Sequence, residues 1–261
     1  MRSQTLATVA VVLVLLAVQA WVQAKDLTLR QRVTTTGVRS DTHEATQYWT
    51  DNKMVTDSPD DRVIVDLGAQ TMTVVDKRHK TYFTQTFAEM RQRSEAMRAE
   101  MQKEMENLPP EAREMMGKMG TGPLAAEPEI SVKPTGKSEK IAGYEAKEYA
   151  LEGGPMSASV WVTDVLQPPG GAKGREALGK MVAGAPGSKL AQAIGGVNGV
   201  PLRTVVRSTA GPGKGFTSTI EVIEVSEKTP PADALEVPAG FRKIAAPEMP
   251  PMHQRKGAPR N

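Results

Sequence analysis

An α+β fold organised around an antiparallel sheet is predicted by three features of the sequence. Short runs rich in β-branched residues recur with tight turn signals between them. One stretch near the middle switches its apolar period from 2 to 3.6. Pro/Gly clusters separate the remaining segments without any of the long, evenly spaced helices that a parallel sheet requires.

The region from Lys25 to Phe83 reads as a meander of short strands. Leu27, Leu29, Gln31 and Val33 alternate with Thr28, Arg30 and Arg32, the pattern of a strand with one face inward. Tyr48-Trp49-Thr50 and Lys53-Met54-Val55 flank the two-residue turn signal Asp51-Asn52, and Ser58 to Asp61 make a further turn around Pro59. Arg62 to Leu67 and Thr71 to Asp76 are joined by Gly68-Ala69-Gln70, and Lys80 to Phe83 follow a polar turn.

A helix is predicted from Thr86 to Glu106. Thr86 and Glu89 stand at the N-cap and N3 positions of a capping box. Phe87, Met90, Ser94, Met97, Met101 and Met105 then fall within an arc of about 80° on a helix, and Arg91, Glu95, Arg98, Gln102 and Glu106 occupy the other side. Asn107 to Pro110 end it, since a residue before proline leaves the α region. Pro110 opens a second short helix to Lys118, giving a helical insert over residues 86–120.

Strands resume at Glu129 to Lys133. Tyr144 to Leu151 and Ser157 to Thr163 pair around Gly153-Gly154-Pro155, and Val200 to Ser208 with Phe216 to Val225 form a last hairpin. Between them, Gln167 to Gly174 read as a Pro/Gly loop and Arg175 to Ile194 as a weak helix broken by Gly184, Pro186 and Gly187. Residues 245–261 are Pro-rich and basic without an apolar period, so a disordered tail is expected.

The first 24 residues have the three parts of a secretory signal: Arg2, the apolar run Leu6 to Val18, and Val22 and Ala24 at the −3 and −1 positions before Lys25. A 13-residue apolar run is short of the roughly 20 residues that span a bilayer as a helix. The expectation is a periplasmic or secreted chain with one β-rich domain over residues 25–244 and no transmembrane segment once the signal is removed. The chain has no Cys, which excludes disulfides and thiolate metal sites. Its formal charge of +3 is spread along the chain rather than clustered with aromatics, so no nucleic-acid surface is expected.

Motifs that carry chemistry are weak. Gly174 to Lys180 match the start of a phosphate-binding loop, but Met181 stands where a Mg²⁺-binding Ser or Thr is required and no strand precedes it. His43, His79 and His253 have no metal-ligand spacing, and no G-x-S-x-G elbow occurs. Asp57, Asp60 and Asp61 suit a turn better than a calcium loop. No catalytic residue, metal or cofactor is expected. The methionine stripe suits first a helix packed on a sheet, as amphipathic helices usually cover cores, and otherwise an adaptable apolar surface, since Met is flexible and polarizable.

Several segments, taken in order, resemble a known family. They are Tyr48-Trp49 with Asn52-Lys53-Met54, Val74 to Asp76 with Lys80-Thr81-Tyr82, Gly136, Glu139 to Tyr149, Val160 to Asp164, Gly199 to Arg203 and Val237 to Phe241. The chain is similar in these to an uncharacterised bacterial exported domain-of-unknown-function family with a periplasmic lipoprotein-carrier-like (LolA-like) fold, over about residues 26 to 244. The stretch Ile141-Ala142-Gly143-Tyr144 followed by Trp161-Val162-Thr163 is its most specific part. The resemblance implies a single curved antiparallel β-sheet, an incomplete barrel, with helical inserts on the concave side. Relatives of that fold carry lipoproteins or sense envelope stress. Members of the family often show a Cys near Ala146, and its absence here removes any thiol role.

The function expected from these readings is a non-enzymatic binding protein for an apolar ligand, a lipid or acyl chain, held in a concave groove. Phe87, Met90, Met97, Met101 and Met105 are the candidate ligand-binding residues. The alternative is an envelope sensor or scaffold acting through contacts with a protein partner. Chain recovered after export is predicted to begin at Lys25; an intact mass that still includes Met1 to Ala24 would contradict this.

Overall fold

The computed structural model describes residues 26–37, 40–109, 129–153, 156–171, 176, 188–208 and 214–247. The expected signal segment, the second short helix from Pro110, the phosphate-loop match, His253 and residues 248–261 of the expected tail lie outside the described residues, wholly or nearly so.

Six strands lead off: β1 (Leu27–Thr36), β2 (Asp41–Trp49), β3 (Lys53–Asp57), β4 (Asp61–Asp66), β5 (Thr71–Asp76) and β6 (Thr81–Thr86). Helix α1 (Phe87–Glu106) follows, then β7 (Ser131–Ile141), β8 (Tyr144–Gly153) and β9 (Met156–Thr163). Helix α2 (Ser188–Gly196), β10 (Val200–Ser208), β11 (Thr217–Ser226), a 3₁₀ turn (Ala232–Leu235) and β12 (Arg242–Lys243) complete the order. All twelve strands form one sheet in the order β12-β6-β5-β4-β3-β2-β1-β11-β10-β9-β8-β7. It is therefore two meanders, β1 to β6 and β7 to β11, sewn together by the β1–β11 pair. Every pairing is antiparallel except the short β12–β6 contact, and the sheet does not close on itself.

The turns explain why the first meander is so regular. Asp66 and Asp76 each accept a backbone N–H three residues on, from Ala69 at 2.8 Å and His79 at 2.9 Å. Each of these Asx turns ends on a residue in the left-handed region, Gln70 (φ 54°) and Lys80 (φ 51°). The β7–β8 connection is tighter: Ile141 faces Tyr144 across Ala142 (φ 47°) and Gly143 (φ 92°), both at positive φ as a two-residue hairpin requires. This is the segment that gives the sequence resemblance its most specific part.

Strand β7 extends further than the sequence pattern shows, to Ile141 rather than Lys133. Its register slips between Pro134 and Ser138, with Gly136 at φ 78°, so its alternation is broken where a reader would look for it. The nearly buried Glu148 carboxylate holds this bulge. It accepts from the Thr135 hydroxyl at 2.9 Å and pairs with Lys137 at 3.4 Å.

Apolar packing occurs in three places. Leu27, Leu29, Leu202 and Val222 join the centre of the sheet to Ile141 and Ala146 of the β7–β8 hairpin. Leu151, Ala158, Val160 and Val162 of β8 and β9 pack with Leu190, and Ala193 and Ile194 of α2 lie against them. Val55, Ile64 and Val75 receive Leu235, Val237 and Phe241 from the segment after β11. Arg62 clamps that segment: Nη1 donates to the carbonyls of Asp233 (2.9 Å) and Glu236 (2.8 Å), and Nε donates to Asp57 (2.7 Å). Burial pushes the Asp57 carboxyl up, but hydrogen bonds and charge from Arg62 and Lys77 outweigh it and hold the group below its usual range.

Helix α1 begins as expected. Glu89 N–H donates to Thr86 Oγ1 at 3.1 Å and Thr86 N–H donates to Glu89 Oε2 at 2.7 Å, which completes the capping box. Its contacts with the sheet gather on β6, the strand it continues. Phe87 is buried there, and Arg93 meets the Gln85 amide oxygen at 3.0 and 3.1 Å and the Pro247 carbonyl at 3.2 Å.

Ala142 is an alanine in a left-handed turn position, a conformation that Asn adopts with less strain. Ala142→Asn is predicted to raise stability by about 1 kcal/mol, since Asn-Gly is the favoured pair for this turn. Chemical denaturation measures it; an unchanged or lower midpoint would contradict the turn assignment.

Candidate functional site

A concavity of about 260 Å³ lies across the middle of the sheet. Strand β1 contributes Gln31 and Val33, β2 contributes Ala45, Gln47 and Trp49, and β3 contributes Thr56, with Ser58 just beyond it. From the other side come Ile220 and Val222 of β11 and Pro201, Leu202 and Thr204 of β10. The register explains this selection. Gln31 faces Ala45 and Val222, Val33 faces Ile220, and Thr204 faces Ile220, so these side chains share one face of the pleat.

One groove lined from β10 to β3 requires a bent sheet. Those strands are four spacings apart, which a flat sheet would set about 19 Å from each other. Two register shifts fall in this region, at Arg30/Gln31 against β11 and at Pro201/Arg203 against β9. Bulges bend the strand that carries them and sharpen its twist. Both flank the groove, so the bend and the lining have the same origin.

Among the described residues no ionisable side chain lines the groove. The period of the strands sends Arg30, Arg32 and Arg203 to the reverse face, while the Asp41–His43 pair lies on the groove face beyond Ala45. Arg30 and Arg32 alternate with Gln31 and Val33, and they pair across the sheet with Glu224 (2.8 Å) and Glu44 (3.5 Å). Arg203 alternates with the groove residues Leu202 and Thr204. It donates to Glu221 (2.6 Å) and Glu139 (2.6 and 3.0 Å) and lies 5.2 Å over the Trp161 ring. Hydrogen bonds from Arg203 hold the Glu139 carboxyl below its usual range. Inside the groove the polar groups are neutral, and the Gln31 amide donates to Gln47 at 3.1 Å.

A second cavity of about 100 Å³ adjoins the first, and Trp49 and Pro201 line both. Its other walls include Met54, Leu67, Pro168, Pro169, Ile194 and Val197, again without an ionisable group. The Asp51 carboxylate accepts the Gly170 N–H at 3.2 Å and so holds the Pro168-Pro169 loop over the end of β2. Gly199 forms part of the wall at φ 112°; a Cβ there would lie 2.2 Å from the Thr163 carbonyl oxygen, so only glycine fits. The Trp49 indole N–H is buried and has no hydrogen-bond partner among the described residues. An unsatisfied buried donor costs about 1–3 kcal/mol.

The five residues expected from the sequence to bind a ligand belong to α1. Phe87 is buried at the root of α1, Met90 and Met97 are half-exposed on the helix, and Met101 and Met105 lie on it with their side chains outside the described residues. Phe87, Met90 and Met97 line neither cavity described above. His43 pairs with Asp41 at 2.9 Å and His79 with Asp76 at 2.7 Å, both near the surface. Asp57, Asp60 and Asp61 surround a turn, with Asp57 and Asp60 engaged by Arg62, Lys77 and Arg78. The groove residues escaped because β1 and β2 look like ordinary half-buried strands; nothing local shows that β10 and β11 complete the same surface.

Residues 114–241 match the family model described as a domain of unknown function, DUF4412. The expected likeness to a family of unknown function is thus met over the second half of the chain. In structure the chain is similar to PNGF-II, at 12% identity over 85% of this chain and 31% of that one, with a TM-score of 0.40. This chain spans about a third of the length of PNGF-II. It is also similar to the LolA superfamily protein NE2245 from Nitrosomonas europaea, at 8% identity, 82% and 90% coverage and a TM-score of 0.32. A DUF1329 family protein from Desulfovibrio piger shows 9% identity, 82% and 91% coverage and a TM-score of 0.25. No curated protein matches the chain in sequence. The function therefore rests on the groove itself.

The two apolar environments separate under mutation. Leu29→Ala, at a fully buried position, is predicted to cost about 2–5 kcal/mol in chemical denaturation. Met97→Ala is predicted to cost less than about 1 kcal/mol. Equal losses would mean that Met97 is as deeply packed as Leu29.

Proposed function

We propose that this chain is an exported binding protein that holds an acyl or other apolar chain in the groove between β10 and β3. The observation that carries the reading is the lining: a concave strip crossing five strands with no ionisable side chain, on a sheet whose reverse face is dense in charge. Removing apolar surface from water drives such a ligand in, at about 25 cal/mol per Å². The groove volume falls just under the roughly 300–1,000 Å³ of small-molecule sites, so it suits one chain or part of one. Helix α2 then borders the groove's end, since Ile194 lines the second cavity.

A groove without acid, base or cation offers no group for proton transfer, which favours binding over catalysis. Residues 1–24 supply the route out of the cytoplasm, where acyl chains in transit between membranes need a carrier. Among the described residues no helix is long and apolar enough to cross a membrane. A second reading assigns the chain to an envelope protein partner, favoured by α1, which has 20 residues, is rooted at β6 and keeps most of its described side chains exposed.

The groove is tested with N-phenyl-1-naphthylamine, whose fluorescence rises in apolar sites. The chain is predicted to bind it, and Ile220→Glu is predicted to weaken binding by about tenfold or more, because a carboxylate there has no partner. Ile220 is 37% exposed, so the variant keeps its fold. Unchanged binding in the variant, or none in the parent, would overturn the groove reading. A stoichiometric protein cross-linked to α1 in the envelope, with no acyl chain bound to the groove, would establish the second.

A further inference from the structure

We infer that the groove's ligand carries a neutral acyl carbonyl and that Trp49 is its anchor, an inference that rests on the groove reading above. Trp49 stands in the wall between the two cavities, and its N–H is the buried side-chain polar atom left without a partner among the described residues. An indole N–H only donates, so the missing partner is an acceptor. The nearby side chains do not supply it. Thr50 Oγ1 is engaged with Lys53, taking its N–H at 3.0 Å and meeting its carbonyl at 3.4 Å. The Gln47 amide oxygen accepts from Gln31.

The acceptor is a neutral one for a separate reason. Among the described residues neither cavity is lined by Lys, Arg or His, so a carboxylate or phosphate lodged beside Trp49 would be buried without a counter-charge. An ester or amide carbonyl has the acceptor without the charge. The N–H has no exposed surface, so the carbonyl reaches it by shifting the ring, and the shift opens one cavity into the other. Together their volumes reach the lower end of the range for ligand sites. The chain of the ligand would then lie along the strip over Ala45, Val222 and Ile220, with its carbonyl at the Trp49 end.

The test uses displacement of N-phenyl-1-naphthylamine by three competitors of similar length: methyl decanoate, decanoate at pH 7, and undecane delivered from cyclodextrin. The parent is expected to bind methyl decanoate about tenfold more tightly than undecane, the worth of one good hydrogen bond. It is expected to bind decanoate more weakly than the ester. Trp49→Phe is expected to lose the preference for the ester over undecane. A readout independent of the variant comes from the indole N–H signals of ¹⁵N-labelled chain beginning at Lys25, which retains Trp49 and Trp161 as its two tryptophans. Methyl decanoate is expected to move the Trp49 signal downfield and leave Trp161 in place, and undecane is expected to cause no such shift. An ester preference that survives in Trp49→Phe, decanoate binding as tight as the ester, or an unmoved Trp49 signal with ester bound would each overturn the carbonyl anchor while the groove reading stands. A parent that binds none of the four compounds would overturn both.

Discussion

An open sheet of twelve strands has two faces and two edges, and none of them covers itself. Closing into a barrel would remove the edges and hide one face. This chain does not close, so each exposed surface is dealt with locally. The segment after β11 lays Leu235, Val237 and Phe241 over Val55, Ile64 and Val75 at one end, and α2 covers β8 and β9 at the other. Surface ion pairs solvate the reverse of the middle strands; pairs this exposed contribute about 0–1 kcal/mol each, so their role is to keep that face wet rather than to hold it. The β6 edge is occupied by β12, where Arg242 and Ile244 donate to the Lys80 and Tyr82 carbonyls at 2.9 and 2.8 Å. The β7 edge is blunted by Pro134, a bulge and the exposed Lys133, Lys137 and Lys140, devices that discourage another strand from pairing there.

The concave middle stays open at its rim, where Ile220 is exposed, over a floor of buried Ala45, Leu202 and Val222. The bulges opposite Arg30/Gln31, where Ile223 is the extra residue, and at Pro201/Arg203, where Leu202 is, bend β11 and β10 beside the seam of the two meanders, and the bend turns an ordinary inward face into a trough. The same pleat that sends Arg30, Arg32 and Arg203 to the reverse face leaves the trough to Gln31, Val33, Leu202 and Thr204. Curvature and apolar lining therefore come from one cause, the alternation of side chains on strands that are locally overtwisted. Trp49 sits where this trough meets the Pro168-Pro169 loop, and its unpaired N–H marks the point at which packing alone leaves the site incomplete.

Much of the fold was legible in the sequence because its signals are local. Asp51-Asn52 marked the β2–β3 turn, Thr86 and Glu89 marked the start of α1, and Tyr144 to Leu151 against Ser157 to Thr163 paired in the structure as the pattern implied. Strand β7 was only partly legible, since its bulge interrupts the period that announces a strand. The site was hidden for a different reason. Its residues come from β1 to β3 and from β10 and β11, about 150 residues later, and the β1–β11 pairing that joins them has no signature in either segment. The methionine seam of α1 drew attention because its period is visible within one helix, whereas the groove's lining is visible only after long-range pairing.

The claim that the trough and not the helix receives the ligand is tested most directly by methyl NMR. Chain labelled at Ala, Ile, Leu, Val and Met methyl groups would be titrated with methyl decanoate. The account predicts that the signals of Ala45, Leu202, Ile220 and Val222 move together and saturate, while those of Met90 and Met97 stay in place. Shifts confined to Met90 and Met97, with the groove methyls unmoved, would contradict it.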